Sequence, residues 1–299
     1  MSKKPPWLGC LASVALLVCT TSASQRKGPS VDGNLAYSHV ERLVGFGPRP
    51  PGSPAIAQSQ TYITDVLKKL NLQVEHQDFL ANTPNGPVSM KNIVAKADLS
   101  EKPVVILGSH YDTKVMTNAA FVGANDGGSS TGLLLELARV FSQRRNAFSV
   151  WFVFFDGEEA QREWSETDSL YGSRYFVEKL KAGGQTRAIK AMVLMDMVGD
   201  RDLKLENDAS STSWLMGLVR RSAVELGYGK YLAASQKGMV DDHVPFIRAG
   251  IAAVDLIDYE YGFNIWHTPN DTLDKISPRS LKIVGDIVVR TVENLNQKP

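Results

Sequence analysis

Acidic and imidazole side chains follow several apolar stretches of this sequence. They include His110 and Asp112 in "SHYD", Asp156, Glu158 and Glu159 in "FFDGEE", Asp196 and Asp200 in "MDMVGD", Asp126 in "GANDGG" and His267 in "WHTPND". Gathering this many carboxylates is costly without a positive charge, because neighbouring like charges resist joint ionisation. A divalent cation removes that cost. Histidine and carboxylate ligands without sulfur suit zinc, and they also suit manganese or cobalt.

The elements that position these residues alternate along the chain. Near-continuous apolar strands are predicted at 103–112, 148–156, 189–200 and 249–258, with half-buried strands at 72–79 and 90–98. Amphipathic helices are predicted at 53–71, 130–145, 169–183, 212–227 and 277–296. Apolar strands separated by helices indicate an α/β sheet that is covered on both faces. Such sheets bind ligands outside the carboxyl ends of their strands, so we expect the acidic residues to meet at one edge.

Residues 1–23 have the layout of a secretory signal peptide. Two lysines precede about a dozen apolar residues and then small polar residues, with cleavage predicted after Ala23. The apolar stretch is shorter than a transmembrane span of about 20 residues, and an uncleaved anchor is the alternative. Both cysteines, Cys10 and Cys19, lie in this segment, so the mature chain is predicted to have no disulfide and no thiolate ligand. We expect a secreted or periplasmic protein without stable membrane insertion.

The rest of the chain is predicted to form one domain. No long polar linker divides it, and residues 24–36 are assigned to an N-terminal extension and residues 37–299 to the domain. Of the 299 residues, 43% are hydrophobic, which is enough for a sizeable core. The formal net charge of +1 lacks the basic excess by which proteins hold nucleic-acid phosphates, so no nucleic-acid partner is predicted.

An ordered set of motifs resembles a known family. The motifs "SHYDT", "GANDGGSS", "FFDGEE", "MDMVGD", "DDHVPF" and "WHTPNDT" are similar to those of the zinc aminopeptidase superfamily, which includes the secreted glutaminyl cyclases. The resemblance covers about residues 37–290. Trp164, the "DSLYGSR" after it and Trp266 directly before His267 resemble the glutaminyl-peptide cyclotransferases in particular. The resemblance implies a catalytic domain like that of peptidase family M28: a three-layer αβα sandwich with a central mixed, mostly parallel sheet.

The resemblance also implies a reaction. Asp126, Glu159 and His267 would hold a single zinc ion per subunit, with one position open for substrate. The zinc would polarise the γ-carboxamide carbonyl of an N-terminal glutamine in a peptide or protein. Glu158 would accept a proton from the attacking α-amine and pass it to the departing ammonia, which leaves pyroglutamate.

Supporting roles follow from the same resemblance. Asp241 and Asp196 would orient Glu158 and share its proton network. Trp164 and Trp266 would wall a narrow apolar pocket around the glutamine side chain. Asp156 is assigned to the structure around the site, and a monomer is expected.

Two other functions are compatible with parts of this pattern. A secreted two-zinc aminopeptidase would use the ligands His110, Asp126, Glu159, Asp196 and His267. In that enzyme Glu158 would activate a bridging water for peptide hydrolysis, so the ligand residues do not separate the two chemistries. The tryptophans favour the cyclase. A non-catalytic binding module would be expected to lose metal ligands or the general base, whereas this sequence retains them all.

Some residues depart from the cyclase pattern. Asp255 stands where animal cyclases tend to have histidine, and Val240 replaces a polar residue that usually meets the substrate amine. The cysteine pair that mammalian members place near the site is absent, which indicates a bacterial-type or otherwise divergent member. His39, His76 and His243 are predicted to be structural, on an N-terminal helix, in an alternating strand and at a helix start.

Overall fold

The computed structural model describes residues 1–3, 28–98, 100–262 and 264–296. Its helices are α1 (Gly33–Val44), α2 (Pro54–Lys69), α3 (Gly128–Ser142), α4 (Tyr171–Ala182), α5 (Ser213–Glu225), α6 (Val244–Arg248) and α7 (Pro278–Leu295). Its strands are β1 (Gln73–Thr83), β2 (Gly86–Lys96), β3 (Val104–His110), β4 (Ser149–Phe155), β5 (Ile189–Asp196), β6 (Leu205–Asp208), β7 (Leu232–Lys237) and β8 (Ala253–Ile257). All but the first three residues of the predicted signal peptide lie outside the described residues.

A six-stranded sheet in the order β1-β2-β4-β3-β5-β8 forms the centre of the fold. Strands β4, β3, β5 and β8 run parallel to one another, β2 is antiparallel to β4, and β1 is antiparallel to β2. This mixed, mostly parallel sheet confirms the predicted fold class. Strands β6 and β7 form a separate parallel pair.

Alternate residues of the central strands pack against different helices, which creates the three layers. Val105 and Leu107 of β3 belong to a core that they share with α1, α2, α3, α5 and α7. Val104 and Ile106 belong to a smaller core that contains residues of α4 and α6. Because successive side chains of a strand point to opposite faces, these two cores lie on opposite sides of the sheet. β3 is therefore buried along its whole length, with no solvent-exposed face.

The starts of two helices follow ordinary capping chemistry. The hydroxyl of Ser53 accepts a hydrogen bond from the Ile56 N–H at 3.1 Å, and Pro54 occupies the first turn of α2. Ser277 and Pro278 start α7 in the same way. Both helices agree with the predictions at 53–71 and 277–296 to within one or two residues at each end.

Helix α1 packs closely against α3 at Gly132. A Cβ atom at Gly132 would lie 2.6 Å from Val40 and 2.7 Å from the carbonyl oxygen of Ala36, so only glycine permits this approach. Ala36 and Val40 are both fully buried. The domain was predicted to start at residue 37, but α1 begins at Gly33. The packed part of the chain therefore includes the residues of α1 before residue 37.

The elements that were not predicted are short. β6 has four residues, and β7 has the mixed sequence "LAASQK"; α6, whose start was predicted at His243, has five residues. Segments of this length do not complete a clear hydrophobic period, so they leave no signal in the sequence. Across the described ranges, no helix is both long enough and apolar enough to cross a membrane.

Candidate active site and metal centre

The parallel strands bring acidic side chains to one edge of the sheet. β3 ends at His110 and β5 ends at Asp196. After β4 the chain turns at Gly157, whose φ of 70° lies in the left-handed region that favours glycine. Glu158 and Glu159 follow this turn and line the same cavity as Asp196. The predicted meeting of residues from separate strands therefore occurs.

Three of these side chains converge in an arrangement that suits a metal ion. Ligand atoms of Asp126, Glu159 and His267 all lie within 4.8 Å of one another. His267 Nε2 is 3.2 Å from Asp126 Oδ2 and 2.9 Å from Glu159 Oε1. Both oxygens are buried and make no hydrogen bond to any described residue. Such oxygens are costly to bury, and a divalent cation among the three groups would satisfy them, so these residues fit zinc.

A second candidate ligand group shares Asp126. It consists of His110, Asp126 and Asp196. His110 Nε2 is hydrogen-bonded to Asp196 Oδ1 at 3.1 Å and lies 3.3 Å from Asp126 Oδ1. Asp126 thus belongs to both groups, with Oδ1 near His110 and Oδ2 near His267. The ligand residues of both the one-metal and the two-metal alternatives are brought together.

Asp112 fixes the backbone of the two glutamates. Its Oδ1 accepts a hydrogen bond from the Glu158 N–H at 3.1 Å, and its Oδ2 accepts one from the Glu159 N–H at 3.3 Å. The same carboxylate lies 3.5 Å from His110 Nδ1. Because Asp112 is fully buried, these contacts are shielded from water. One side chain therefore orients both a candidate base and a candidate metal ligand.

The carboxyl groups around Glu158 hold protons unusually strongly. Burial raises the pKa of Glu158 well above its ordinary value; His110 opposes this shift, while Asp241 and Glu159 add to it. Burial, together with the charge of Asp196, raises the pKa of Asp241 to about 7. Burial also raises the pKa of Asp196. A carboxyl group with a raised pKa in a cavity is suited to general acid–base chemistry, and Glu158 meets both conditions.

A cavity of about 330 Å³ opens in front of these groups. Trp164, Trp266 and Val240 line it together with the acidic residues. The ring of Trp266 stacks on that of His267, with centroids 4.1 Å apart and planes inclined by 26°. Trp164 is 41% exposed and Val240 is 57% exposed, so both reach the open side of the cavity. The two tryptophans are therefore positioned beside the candidate ligands and base.

The histidines predicted to be structural do not line this cavity. A hydrogen bond of 2.6 Å joins His39 Nδ1 to the Tyr62 hydroxyl, and one of 2.9 Å joins His76 Nε2 to the Thr64 hydroxyl. His243 directly precedes α6.

Two acidic residues of the same motifs also lie away from the cavity. Asp156 accepts hydrogen bonds from the Tyr111 hydroxyl at 3.2 Å and from the Gln60 side chain at 3.3 Å. Asp200, which was expected at the edge with Asp196, forms a backbone bridge with Ile276 instead. The chain leaves the sheet edge after β5, which explains the difference.

The sequence reasoning missed Lys114 and Asp271. Lys114 Nζ lies 3.4 Å from Glu159 Oε2 and lines the cavity. Asp271 accepts a hydrogen bond from the Asp126 N–H. Both residues could have been suspected from the sequence, because Lys114 closely follows "SHYD" and Asp271 is the last residue of "WHTPND". Loop residues near metal ligands often support the site.

Comparison with known proteins identifies relatives of the whole folded part. Residues 92–292 match the model of peptidase family M28. The chain is 30% identical to the glutaminyl-peptide cyclotransferase-like protein of Bos taurus, over 88% of this chain and 79% of that protein. A crystal structure of Acidobacteriales bacterium glutaminyl cyclase is 36% identical, with a TM-score of 0.88 over 92% of this chain and 98% of that chain.

A peptidase is also among the structural neighbours. The crystal structure of a leucine aminopeptidase precursor from Bacteroides thetaiotaomicron is 27% identical, with a TM-score of 0.81 over 90% of this chain and 99% of that chain. The fold is therefore common to cyclases and aminopeptidases. The Bos taurus relative is named as a cyclotransferase-like protein, and the Acidobacteriales structure, which has a higher identity than the aminopeptidase, is named as a glutaminyl cyclase. The chain belongs to peptidase family M28 and, within it, to the glutaminyl-peptide cyclotransferases.

Proposed function

We propose that this chain is a zinc-dependent glutaminyl-peptide cyclotransferase, which converts the N-terminal glutamine of peptides or proteins to pyroglutamate and releases ammonia. The combination of Glu158 and two tryptophans in one cavity carries the proposal. The buried carboxyl group of Glu158 lines the cavity next to the metal ligand Glu159, and Trp164 and Trp266 line the same cavity. Membership in the cyclotransferase group supports the same activity.

Asp126, Glu159 and His267 would hold one zinc ion. The ion, when bound, would act as a Lewis acid that polarises the γ-carboxamide carbonyl of the substrate. The three ligands come from the segment before α3, the turn after β4 and the segment after β8. Only the complete fold therefore assembles the site.

Glu158 moves the proton in this reaction. The α-amine nitrogen forms a bond to the side-chain carbonyl carbon, and the bond from that carbon to the amide nitrogen breaks. Glu158 accepts the proton that the α-amine loses and donates it to the amide nitrogen, which leaves as ammonia. The raised pKa of Glu158 strengthens it as a proton acceptor, and the protonated group can then donate to the amide nitrogen.

Asp241 and Asp196 orient Glu158 and adjust its proton affinity. Both line the cavity, and the negative charge of Asp241 contributes to the raised pKa of Glu158. Asp255 extends this acidic group into the interior. Burial raises the pKa of Asp255 well above its usual range, and Asp241 and Asp196 raise it further. The residue that stands where animal cyclases tend to have histidine is therefore an acid with a raised pKa.

Trp164 and Trp266 bind the apolar part of the glutamine side chain. Their rings line the cavity, and the stacking of Trp266 on His267 keeps one wall next to the metal ligand. A cavity of about 330 Å³ is small for a binding site, which suits one side chain and the backbone beside it. Close packing excludes water and favours attack by the substrate's own amine.

A two-zinc aminopeptidase is the second candidate. The ligand group of His110, Asp126 and Asp196 favours it, because a second ion there would let Glu158 activate water for hydrolysis. The two tryptophans that line the cavity favour the cyclase instead. The cyclotransferase relatives favour the cyclase as well.

Export is the final part of the proposal. The pattern of residues 1–23 supports cleavage after Ala23 and export to the periplasm or to the outside of the cell. The proposed mature enzyme is a monomer, and its catalytic domain, assigned to residues 37–299 with residues 24–36 as an extension, would also include the residues of α1 before 37. N-terminal sequencing of the protein recovered from the exporting cell tests the cleavage site.

Ammonia release from a peptide with N-terminal glutamine tests the proposed reaction. The wild-type protein is expected to release ammonia, to lose this activity when a chelator removes the metal, and to regain it with added zinc. The same peptide with an acetylated N-terminus is the control, because it has no free amine to attack. Equal ammonia release from both peptides would contradict cyclisation.

A further inference from the structure

The carboxylate of Asp271 joins the two loops that carry Asp126 and His267. Asp271 is fully buried and follows His267 by four residues. Its Oδ1 accepts a hydrogen bond from the Asn125 N–H at 2.8 Å, and its Oδ2 accepts one from the Asp126 N–H at 3.0 Å. Its carbonyl oxygen accepts another from the Ala124 N–H at 3.3 Å. One residue of the His267 loop thus holds three successive residues of the Asp126 loop.

The same side chain closes the His267 loop on itself. The Tyr261 hydroxyl, on the other side of His267, donates a hydrogen bond to Asp271 Oδ1 at 2.8 Å. His267 lies between these two residues with a φ of 51°, a left-handed conformation that residues other than glycine rarely adopt. Such a conformation persists only where surrounding contacts impose it, and the bond between Tyr261 and Asp271 provides one.

Arg49 holds the start of the Asp126 loop. Its guanidinium is fully buried and donates hydrogen bonds to the carbonyl oxygens of Val122 at 2.6 Å and Gly123 at 3.1 Å. It also donates one to the carbonyl oxygen of Tyr111, just after β3, at 3.3 Å. The loop is therefore fixed at its start by Arg49 and at its end by Asp271.

We propose that Asp271 is a positioning residue of the metal centre, which sets zinc affinity by holding Asp126 and His267 at ligand distance before the ion binds. Its own oxygens are occupied by N–H and O–H donors, so it acts through the two ligands. Ligands that are already ordered lose less conformational freedom on binding. The inference rests on the proposed function, in which Asp126 and His267 bind the metal.

The zinc affinity of the folded protein tests this role. Asp271→Asn keeps the side-chain size but replaces one acceptor oxygen with an NH₂ group, which cannot accept a hydrogen bond from a backbone N–H. Metal-free wild type and variant are titrated with zinc against a chromogenic chelator. We expect about 10- to 100-fold weaker binding by Asp271→Asn, with unchanged far-UV circular dichroism. An affinity equal to that of the wild type would overturn the proposal.

Two further variants grade the effect. Tyr261→Phe removes one hydrogen bond to Asp271 and is expected to weaken zinc binding by about 2- to 10-fold. Asp274→Asn changes a nearby exposed carboxylate and is expected to leave the affinity unchanged. If Asp271→Asn does not fold, Tyr261→Phe decides: a wild-type zinc affinity in that variant would refute the positioning role.

Asp126→Ala separates a failure of this inference from a failure of the proposed function. If Asp126→Ala abolishes tight zinc binding while Asp271→Asn leaves it unchanged, the metal site stands and the role of Asp271 is refuted. If Asp126→Ala binds zinc as tightly as the wild type, the metal is held elsewhere and both proposals fail.

Discussion

His110 Nε2 and Asp196 Oδ1 lie 3.1 Å apart and form a hydrogen bond with each other. The oxygens that face His267, Oδ2 of Asp126 and Oε1 of Glu159, make no hydrogen bond to any described residue. Buried atoms without partners gain more from a cation than atoms that already bond to each other. All three residues of the group with His267 line the cavity, whereas His110 of the other group does not, so the group with His267 is the better candidate for the first ion.

We expect one zinc ion per chain after dialysis against metal-free buffer, as measured by inductively coupled plasma mass spectrometry. His267→Ala should lose this ion because it removes a ligand, whereas His110→Ala should retain it. Two ions in the wild type, with one remaining in His110→Ala, would contradict the single-metal site and support the aminopeptidase.

Glu158→Gln is expected to lower kcat by about 10²–10⁴-fold, because the amide cannot accept the proton of the α-amine. Its zinc content should not change, since the backbone hydrogen bond to Asp112 and the ligand Glu159 both remain. Glu163→Gln, at an exposed position of the same segment, is the matched control and should have wild-type activity. A Glu158→Gln enzyme with more than about a tenth of wild-type kcat would exclude Glu158 as the proton carrier.

Replacement of the two tryptophans should have different effects on substrate binding and on zinc binding. Trp164→Ala is expected to reduce kcat/KM by about tenfold, through loss of apolar contact with the substrate, with zinc content unchanged. Trp266→Ala should reduce kcat/KM and also weaken zinc binding, because Trp266 stacks on His267. Trp214→Ala, on the exposed side of α5, is the control. Steady-state kinetics and metal analysis of the three variants check this order of effects.

Asp258 should make the metal-free protein less stable as the pH rises. Burial raises its pKa to about 7 in the folded state, whereas an aspartate in an unfolded chain has a pKa of about 3.9. The folded state binds more protons between these two values, so the free energy of unfolding falls as pH increases through that interval. Asp258→Asn removes this loss, and we expect it to gain about 2–3 kcal/mol relative to wild type between pH 5 and pH 8.

Urea denaturation at pH 5 and pH 8 measures that difference. Asp202→Asn changes an exposed aspartate and serves as the control, for which no pH-dependent gain is expected. An Asp258→Asn protein whose stability relative to wild type is the same at both pH values would show that Asp258 is not protonated in the folded state.

The sequence predicted the sheet and the groups at its edge, because buried strands are continuously apolar and end abruptly in polar residues, as β3 does at His110. It did not predict the support of those groups. The hydrogen bond from the Asp126 N–H to Asp271 spans 145 positions, and that from the Glu158 N–H to Asp112 spans 46. Nearly every residue has a backbone N–H, so the residue type does not reveal which N–H donates to a distant carboxylate. Contacts of this kind can be recognised only once the fold is known.

The masses of two peptides after reaction test the central claim most directly. The purified mature protein is incubated with one peptide that begins with glutamine and with another that begins with leucine, and both are analysed by mass spectrometry. Cyclisation predicts that the glutamine peptide loses one ammonia while the leucine peptide stays intact. Release of free leucine or free glutamine, with each peptide shortened by one residue, would contradict the cyclase and establish a peptidase.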